Sequence, residues 1–215
     1  MQGTTEIPLL FNPSHRTDIQ SWWGHFGFAQ RLVNALQPPL FVELGVHKGD
    51  SYFCFVEALS LIPSYFNAFG VDTWKGDEHA GFYDDSVFAD VVAVNARYSM
   101  RSALIRSTFD DAFNNLHLPD TISLLHIDGL HTYEAVSHDF RLWEPKVSDV
   151  ILLHDINVPV ESFGVWKLWN EIKAEFPERT FEFSHCNGLA VLAKSDKGLD
   201  SVRSIQQQFG VPHDY

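Results

Sequence analysis

The sequence predicts a doubly wound α/β fold with a mostly parallel, seven-stranded Rossmann-like sheet and an antiparallel C-terminal hairpin strand. Three observations carry that prediction. Five short apolar runs, at 40–44, 68–72, 103–106, 122–127 and 150–153, alternate with segments of helical periodicity. Glu43, Asp72, Asp128, His154 and Asp155 stand at or just past the ends of these runs, where ligands of such sheets bind. The first run also passes straight into a glycine-punctuated turn, Glu43-Leu-Gly-Val-His-Lys-Gly-Asp-Ser51.

In chain order, residues 1–15 read as a loosely held arm, broken by Pro8, Pro13 and Ser14. Thr17 or Asp18 is placed to cap a helix running to Leu36, whose Trp22, Trp23, Phe26, Ala29, Leu32 and Val33 form one stripe. Pro38-Pro39 ends it. The strand 40–44 follows, then a helix to about Leu61, stopped by Pro63. Residues 68–72 make the second strand, 73–85 a long loop, and 86–98 a helix. The third strand is 103–106, and a short helix covers Asp110 to Leu116. The fourth strand, 122–127, runs into Asp128, and a helix spans Tyr133 to Trp143. The fifth, 150–153, runs into His154-Asp155. A helix from Gly164 to Phe176 carries Val165, Leu168, Trp169 and Ile172 on one face. Two late strands, 180–184 and 189–193, flank Asn187-Gly188, and a short helix or tail closes the chain. The expected organisation is an arm and helix at 1–37, a main domain at 38–195 and a tail at 196–215.

At 215 residues the chain fits one domain with short extensions. Its formal net charge of −13 argues against a nucleic-acid or anionic-membrane surface. Cys54 and Cys186 make no disulfide framework, and no apolar run approaches the ~20 residues of a membrane span. A cytoplasmic setting is the expectation. The Trp-rich first helix offers an interface for a homo-oligomer.

The turn after the first strand brings backbone close to a nucleotide-like ligand, because glycine has no Cβ in the way. It lacks the GxGxxG order of a dinucleotide fingerprint. A carboxylate at Glu43 would repel a pyrophosphate and attract an ammonium group, which favours S-adenosylmethionine over NAD. This segment, over 40–194, resembles class I S-adenosylmethionine-dependent methyltransferases. It is most similar to those whose first motif reads ELGxxxGxS, such as the catechol and caffeoyl-CoA O-methyltransferases. The resemblance implies that Glu43 and Gly45 lie by the methionine moiety, beside Gly49, with Ser51 near its carboxylate. It implies that Asp72 accepts both ribose hydroxyls, and that Thr108 and Phe109 flank the adenine. His47 stands where many methyltransferases have a third glycine.

A second constellation is His126-Ile-Asp-Gly-Leu-His131 with Leu153-His-Asp155. Neighbouring strand ends lie ~5 Å apart, so Asp128, His154 and Asp155 can converge on one ion. The donor set suits Mg²⁺ or Mn²⁺, and its imidazole also permits Zn²⁺ or Fe²⁺. In the metal-dependent O-methyltransferases, including the macrolide-sugar and coumarin-sugar types, an Asp follows the fourth strand and an acid-plus-acid or acid-plus-amide pair the fifth. Two departures stand out here, His154 for an acid and Leu130 for a second Asp. His131 falls at the offset of those enzymes' base, and imidazole is a suitable base near neutral pH. The resemblance thus implies catalytic roles for Asp128 and His131. His126 reads as a core histidine, and His138-Asp139 as a helix face.

The loop 74–83 mixes aromatic and charged residues, and Trp74, His79 and Tyr83 are candidates to stack on an acceptor. The expected activity is metal-assisted O-methylation of a sugar, glycan or other small hydroxylated acceptor. The alternatives are another metal-dependent enzyme, a hydrolase or hydroxylase, and a non-catalytic cofactor-binding module.

Overall fold

The apolar run at 40–44 forms β1 (Leu40–Leu44), buried at every position. On either side lie parallel strands, β2 (Asn67–Asp72), buried over its second half, and β6 (Ile122–Ile127), buried throughout. Between β2 and β6 in sequence come a two-residue hairpin, β3 (Gly76–Asp77) and β4 (Gly81–Phe82), and then β5 (Ser102–Arg106). Next are β7 (Val147–His154), β8 (Thr180–Phe183) and β9 (Leu189–Ala193). The computed structural model describes residues 11–115 and 121–209. Among these residues the main sheet has seven strands in the order β5-β2-β1-β6-β7-β9-β8. The first five are parallel, β9 runs antiparallel to β7, and β8 antiparallel to β9. This is the predicted doubly wound sheet with its C-terminal hairpin.

Helices cover both faces, as a parallel sheet with apolar strands requires. On one face lie α1 (Phe26–Leu36), α2 (Asp50–Ser60), α3 (Asp85–Asn95) and α7 (Asp196–Phe209), around Phe41, Phe55, Leu124 and Val191. On the other lie α4 (Phe109–Asn115), α5 (Tyr133–Trp143) and α6 (Val165–Glu175), around Val42, Ile127, Ile151 and Trp169. The starts of α3 and α5 are set by side-chain caps. The Asp84 carboxylate accepts from Ser86 N at 2.8 Å, and Thr132 Oγ1 accepts from Ala135 N at 3.2 Å.

Several local expectations change. No single helix begins at Thr17 or Asp18. A 3₁₀ turn, Gln20–His25, precedes α1, because Thr17 turns its N–H and hydroxyl to Asp50 at the start of α2, at 2.9 and 2.5 Å. The described part of the arm is pinned: Ser14 donates twice to Glu57, and the His15 ring contacts the Lys48 carbonyl. The loop at 73–85 holds the β3–β4 hairpin. The C-terminal segment forms a fourteen-residue helix, α7, which buries Val202 and Ile205 against the core. Residues 1–10 of the expected arm, Leu116 at the end of the expected short helix, and 210–215 of the expected tail lie outside the described residues. No helix among the described residues is long and apolar enough to cross a membrane.

Candidate active site

A cleft of about 880 Å³ opens at the carboxyl ends of the parallel strands, within the ~300–1,000 Å³ range of small-molecule sites. Its floor is the turn after β1. Gly45 has φ +93°, and its N–H donates to the Val71 carbonyl at 2.9 Å. A Cβ at Gly45 would lie 2.0 Å from the Asp128 carbonyl oxygen. Glycine is therefore required here by the closeness of the loop after β6 as well as by the turn. Gly49, at φ +90°, precedes α2, and a Cβ there would strike the Phe53 ring. His47 also adopts a left-handed conformation, φ +49°. Its imidazole stacks on Tyr83, with ring centroids 5.2 Å apart.

Asp72 ends β2 and lines the cleft. Its carboxylate accepts from His47 N at 2.8 Å and Trp74 N at 2.7 Å, one bond per oxygen. Each oxygen keeps a lone pair for a ligand hydroxyl. Burial raises its pKa, and the two backbone donors oppose that rise. Thr108 and Phe109 line the β5 side of the cleft. Thr108 also caps α4, since Oγ1 accepts from Asp111 N at 3.1 Å.

Two residues differ from their expected placement. Glu43 is fully buried and does not line the cleft. The parallel register sets it opposite His126 on the α2 face of the sheet. Its carboxylate meets His126 Nδ1 at 2.9 Å and accepts from Ser51 Oγ at 2.8 Å. Its pKa is raised by burial, against the pull of His126. Glu43 thus ties β1 to β6 and α2 beneath the cofactor turn, with both oxygens already engaged. Ser51 does line the cleft, but its hydroxyl hydrogen goes to Glu43. Trp74, a candidate for stacking on an acceptor, is fully buried and donates its Nε1–H to the His47 carbonyl at 2.9 Å. His79 and Tyr83 do line the cleft.

The other half of the cleft is a ring of charge. His131 Nε2 lies 2.8 Å from Asp155 Oδ2 and 3.4 Å from Asp128 Oδ1. His154 Nδ1 lies 3.5 Å from Asp128 Oδ2 and 3.4 Å from Asp155 Oδ1. His154 Nε2 is 3.0 Å from the Cys186 carbonyl. A carbonyl can only accept, so Nε2 carries the hydrogen and Nδ1 faces the carboxylates. Two backbone conformations support this arrangement: Asp155 and Cys186 both have left-handed φ, +59° and +49°, a strain that functional sites often retain.

Burial works against charge throughout the ring. The two carboxylates nevertheless raise His131 to about 9 through their hydrogen bonds, and they raise His154 well above its ordinary range. In return the histidines outweigh burial at Asp155, held near 2, and at Asp128, held well below the usual carboxylate range. Asp128, His131 and Asp155 bring one ligand atom each within 4.8 Å of one another. His154, expected among the ligands, is outside that group, although its Nδ1 lies 3.5 and 3.4 Å from the two carboxylates.

Trp22, from the N-terminal segment, and His79 also line the cleft. The Phe163 ring stacks on His131 at 4.7 Å and 10° and on His79 at 4.4 Å and 25°. Asp139 also lines the cleft and is 7% exposed. The sequence reading placed it on a helix face, although it lies three residues after Val136, on the buried side that Phe140 and Trp143 continue.

A family described as a methyltransferase domain matches residues 42–156, from β1 to just past β7. The chain belongs to this family. The matched region contains the glycine turn, Asp72, Asp128, His131 and the His154-Asp155 pair. The Sinorhizobium fredii protein y4gI is 41% identical over 189 residues, which is 87% of this chain and 20% of that protein. The chain therefore spans about a fifth of its relative's length. Among solved structures, a putative caffeoyl-CoA O-methyltransferase from Staphylococcus aureus superposes with a TM-score of 0.61 at 12% identity, covering 84% of this chain and 93% of that one. The O-methyltransferase TomG from Streptomyces achromogenes, solved with S-adenosylmethionine, gives 0.60 at 10% identity, covering 84% and 92%. NovP, an O-methyltransferase, gives 0.53 at 17% identity, covering 77% and 80%. At these identities the likeness establishes a shared class I methyltransferase fold.

Proposed function

We propose that this chain is an S-adenosylmethionine-dependent methyltransferase acting on a hydroxyl of a small acceptor, such as a sugar, with the help of a divalent cation. The observation that carries the reading is one continuous cleft. It joins the glycine turn and Asp72 at one end to the ring of Asp128, His131, His154 and Asp155 at the other.

The residues present fit both absent groups. For the cofactor, Gly45 and Gly49 allow close backbone approach, and Asp72 keeps free lone pairs for vicinal hydroxyls. For a cation, hard carboxylate oxygens and an imidazole nitrogen converge, and Asp155 Oδ1 is buried without a hydrogen bond. When bound, the cofactor supplies an activated methyl group, and the cation lowers the pKa of a coordinated hydroxyl.

The chain's own part is positioning and proton handling. Asp128 and Asp155 would hold the cation with His154, whose Nε2–H the Cys186 carbonyl accepts. His131 Nε2, once freed of the proton it donates to Asp155, would take the acceptor's proton, and the Phe163 ring and the bond from Gly164 N to the His131 carbonyl keep it in place. Trp22, Phe163 and His79 exclude water from the reacting end, so that nucleophile, methyl and sulfur align. A second arrangement rests on the 4.8 Å cluster, in which His131 is a ligand and His154 only braces the carboxylates. Turnover to S-adenosylhomocysteine on a panel of sugars and phenols, with Mg²⁺ and with EDTA, tests the activity. Metal affinity of His131→Ala against His154→Ala separates the two arrangements. No turnover with any acceptor contradicts the proposal.

A further inference from the structure

Asp139 sits in the cleft without a described hydrogen-bond partner. It is more than nine-tenths buried, on the second turn of α5, and lines the cleft beside Phe109 and Gly129. A Cβ built on Gly129 would lie 2.5 Å from the Phe109 ring and 3.7 Å from Asp139 Oδ2, so ring, glycine and carboxyl group meet at one point. Its neighbour His138 is different: it points out and pairs with Asp110 at 2.7 Å. A buried polar group without a partner costs free energy and calls for a reason.

We propose that Asp139 reads the purine base of the cofactor, its carboxyl group pairing with the edge formed by the adenine amino group and ring nitrogen N1. The inference rests on the cofactor reading above and adds a specificity residue to it. The place fits, since Asp72 at the end of β2 sets the ribose and Phe109 and Gly129 form the walls next along the cleft. The chemistry fits as well. Adenine offers a donor at the amino group and an acceptor at N1. A neutral carboxyl group offers the complementary pair, C=O to accept and O–H to donate.

Asp139 is suited to holding that proton. Burial pushes its pKa up to about 7, the charge of Asp110 on α4 adds to the rise, and His138 opposes it. Glu134 lines the same cleft from the first turn of α5, and Glu171 of α6 is engaged by Tyr133 and Arg141. Binding through a protonated carboxyl group requires proton uptake once the free group has ionised, so affinity falls as pH rises.

Calorimetric titration with S-adenosylhomocysteine between pH 5.5 and 8.5 tests this on the wild type, Asp139→Asn and Asp139→Ala. Melting curves confirm that each variant is folded. The wild-type Kd should weaken by up to about tenfold per pH unit above pH 7. Asp139→Asn, whose amide offers a donor and an acceptor at every pH, should bind tightly without that slope. Asp139→Ala should bind at least about tenfold more weakly at pH 6. Two variants that follow the wild type at every pH overturn the role of Asp139 and leave the cofactor reading standing. A wild type that binds no S-adenosylhomocysteine overturns the cofactor reading and this inference together.

Discussion

His131 Nε2 lies 2.8 Å from Asp155 Oδ2, and that contact closes a ring in which two imidazoles alternate with two carboxylates. The ring compensates its own charge: two protonated histidines balance two carboxylates in a half-dry cleft. In the proposed reaction a cation bound there would replace the charge that the imidazole protons supply, so metal binding would be coupled to proton release, and the individual members are testable.

Asp155→Asn keeps a residue that tolerates left-handed backbone but removes the charge. It should lower kcat by roughly 10²–10⁴-fold and abolish stimulation by Mg²⁺. Affinity for S-adenosylhomocysteine, measured by calorimetry, should change less than about twofold. Full turnover in EDTA would show that the ring holds no catalytic cation.

His131 makes metal-free stability depend on pH. Burial lowers its pKa, but the hydrogen bonds to Asp128 and Asp155 win and raise it to about 9, above the ~6.5 of an unfolded histidine. A group with a raised folded pKa contributes fully below pH ~6.5, and its contribution is lost as pH rises through 9, on the order of 3 kcal/mol. Urea unfolding in EDTA at pH 6, 7.5 and 9 should show this decline. His131→Asn should show a shallower one, the remainder coming from His154, whose shift has the same sign. Equal slopes in the two proteins would mean that the ring does not hold His131 protonated.

Gly45→Ala should be among the most damaging single-methyl changes in the chain. The new Cβ would sit 2.0 Å from the Asp128 carbonyl, on backbone at φ +93°. Left-handed strain costs roughly 1–3 kcal/mol by itself, and the clash forces the loops after β1 and β6 apart. The expected loss is about 3 kcal/mol or more by chemical denaturation, with cofactor affinity falling too.

Glu43 separates a structural role from a ligand contact. Glu43→Ala leaves the His126 ring buried without its partner, and should cost about 3–5 kcal/mol of stability. Glu43→Gln keeps an acceptor for Ser51 and His126 and should cost far less. In the folded fraction of either variant, calorimetry should find affinity for S-adenosylhomocysteine within a few-fold of the wild type. A selective loss of affinity at full stability would return Glu43 to the methionine site.

The sheet was legible because β1, β2, β5, β6 and β7 are apolar runs, four of which (β1, β2, β6 and β7) run into glycine, acid or imidazole, and because parallel strands must be covered on both faces. The placement of Asp72, Asp128, His131 and His154-Asp155 at one end follows from the same rule. What a linear pattern does not carry is pairing across strands. Glu43 looks like a ligand group until the register of β1 and β6 sets it against His126. Trp74 looks like a stacking residue until the left-handed turn after Asp72 folds its indole into the core. Asp139 reads in the sequence as part of a helix face, and its spacing from Val136 and Trp143 makes that face the buried one. The positive φ of Asp155 and Cys186 is not marked in the sequence by glycine.

The most direct test of the account is calorimetric titration of the purified chain with S-adenosylhomocysteine at pH 6.5. The account predicts saturable one-to-one binding in the micromolar range, with a rise in melting temperature that grows with ligand concentration. No heat of binding and no thermal shift at millimolar ligand would contradict it.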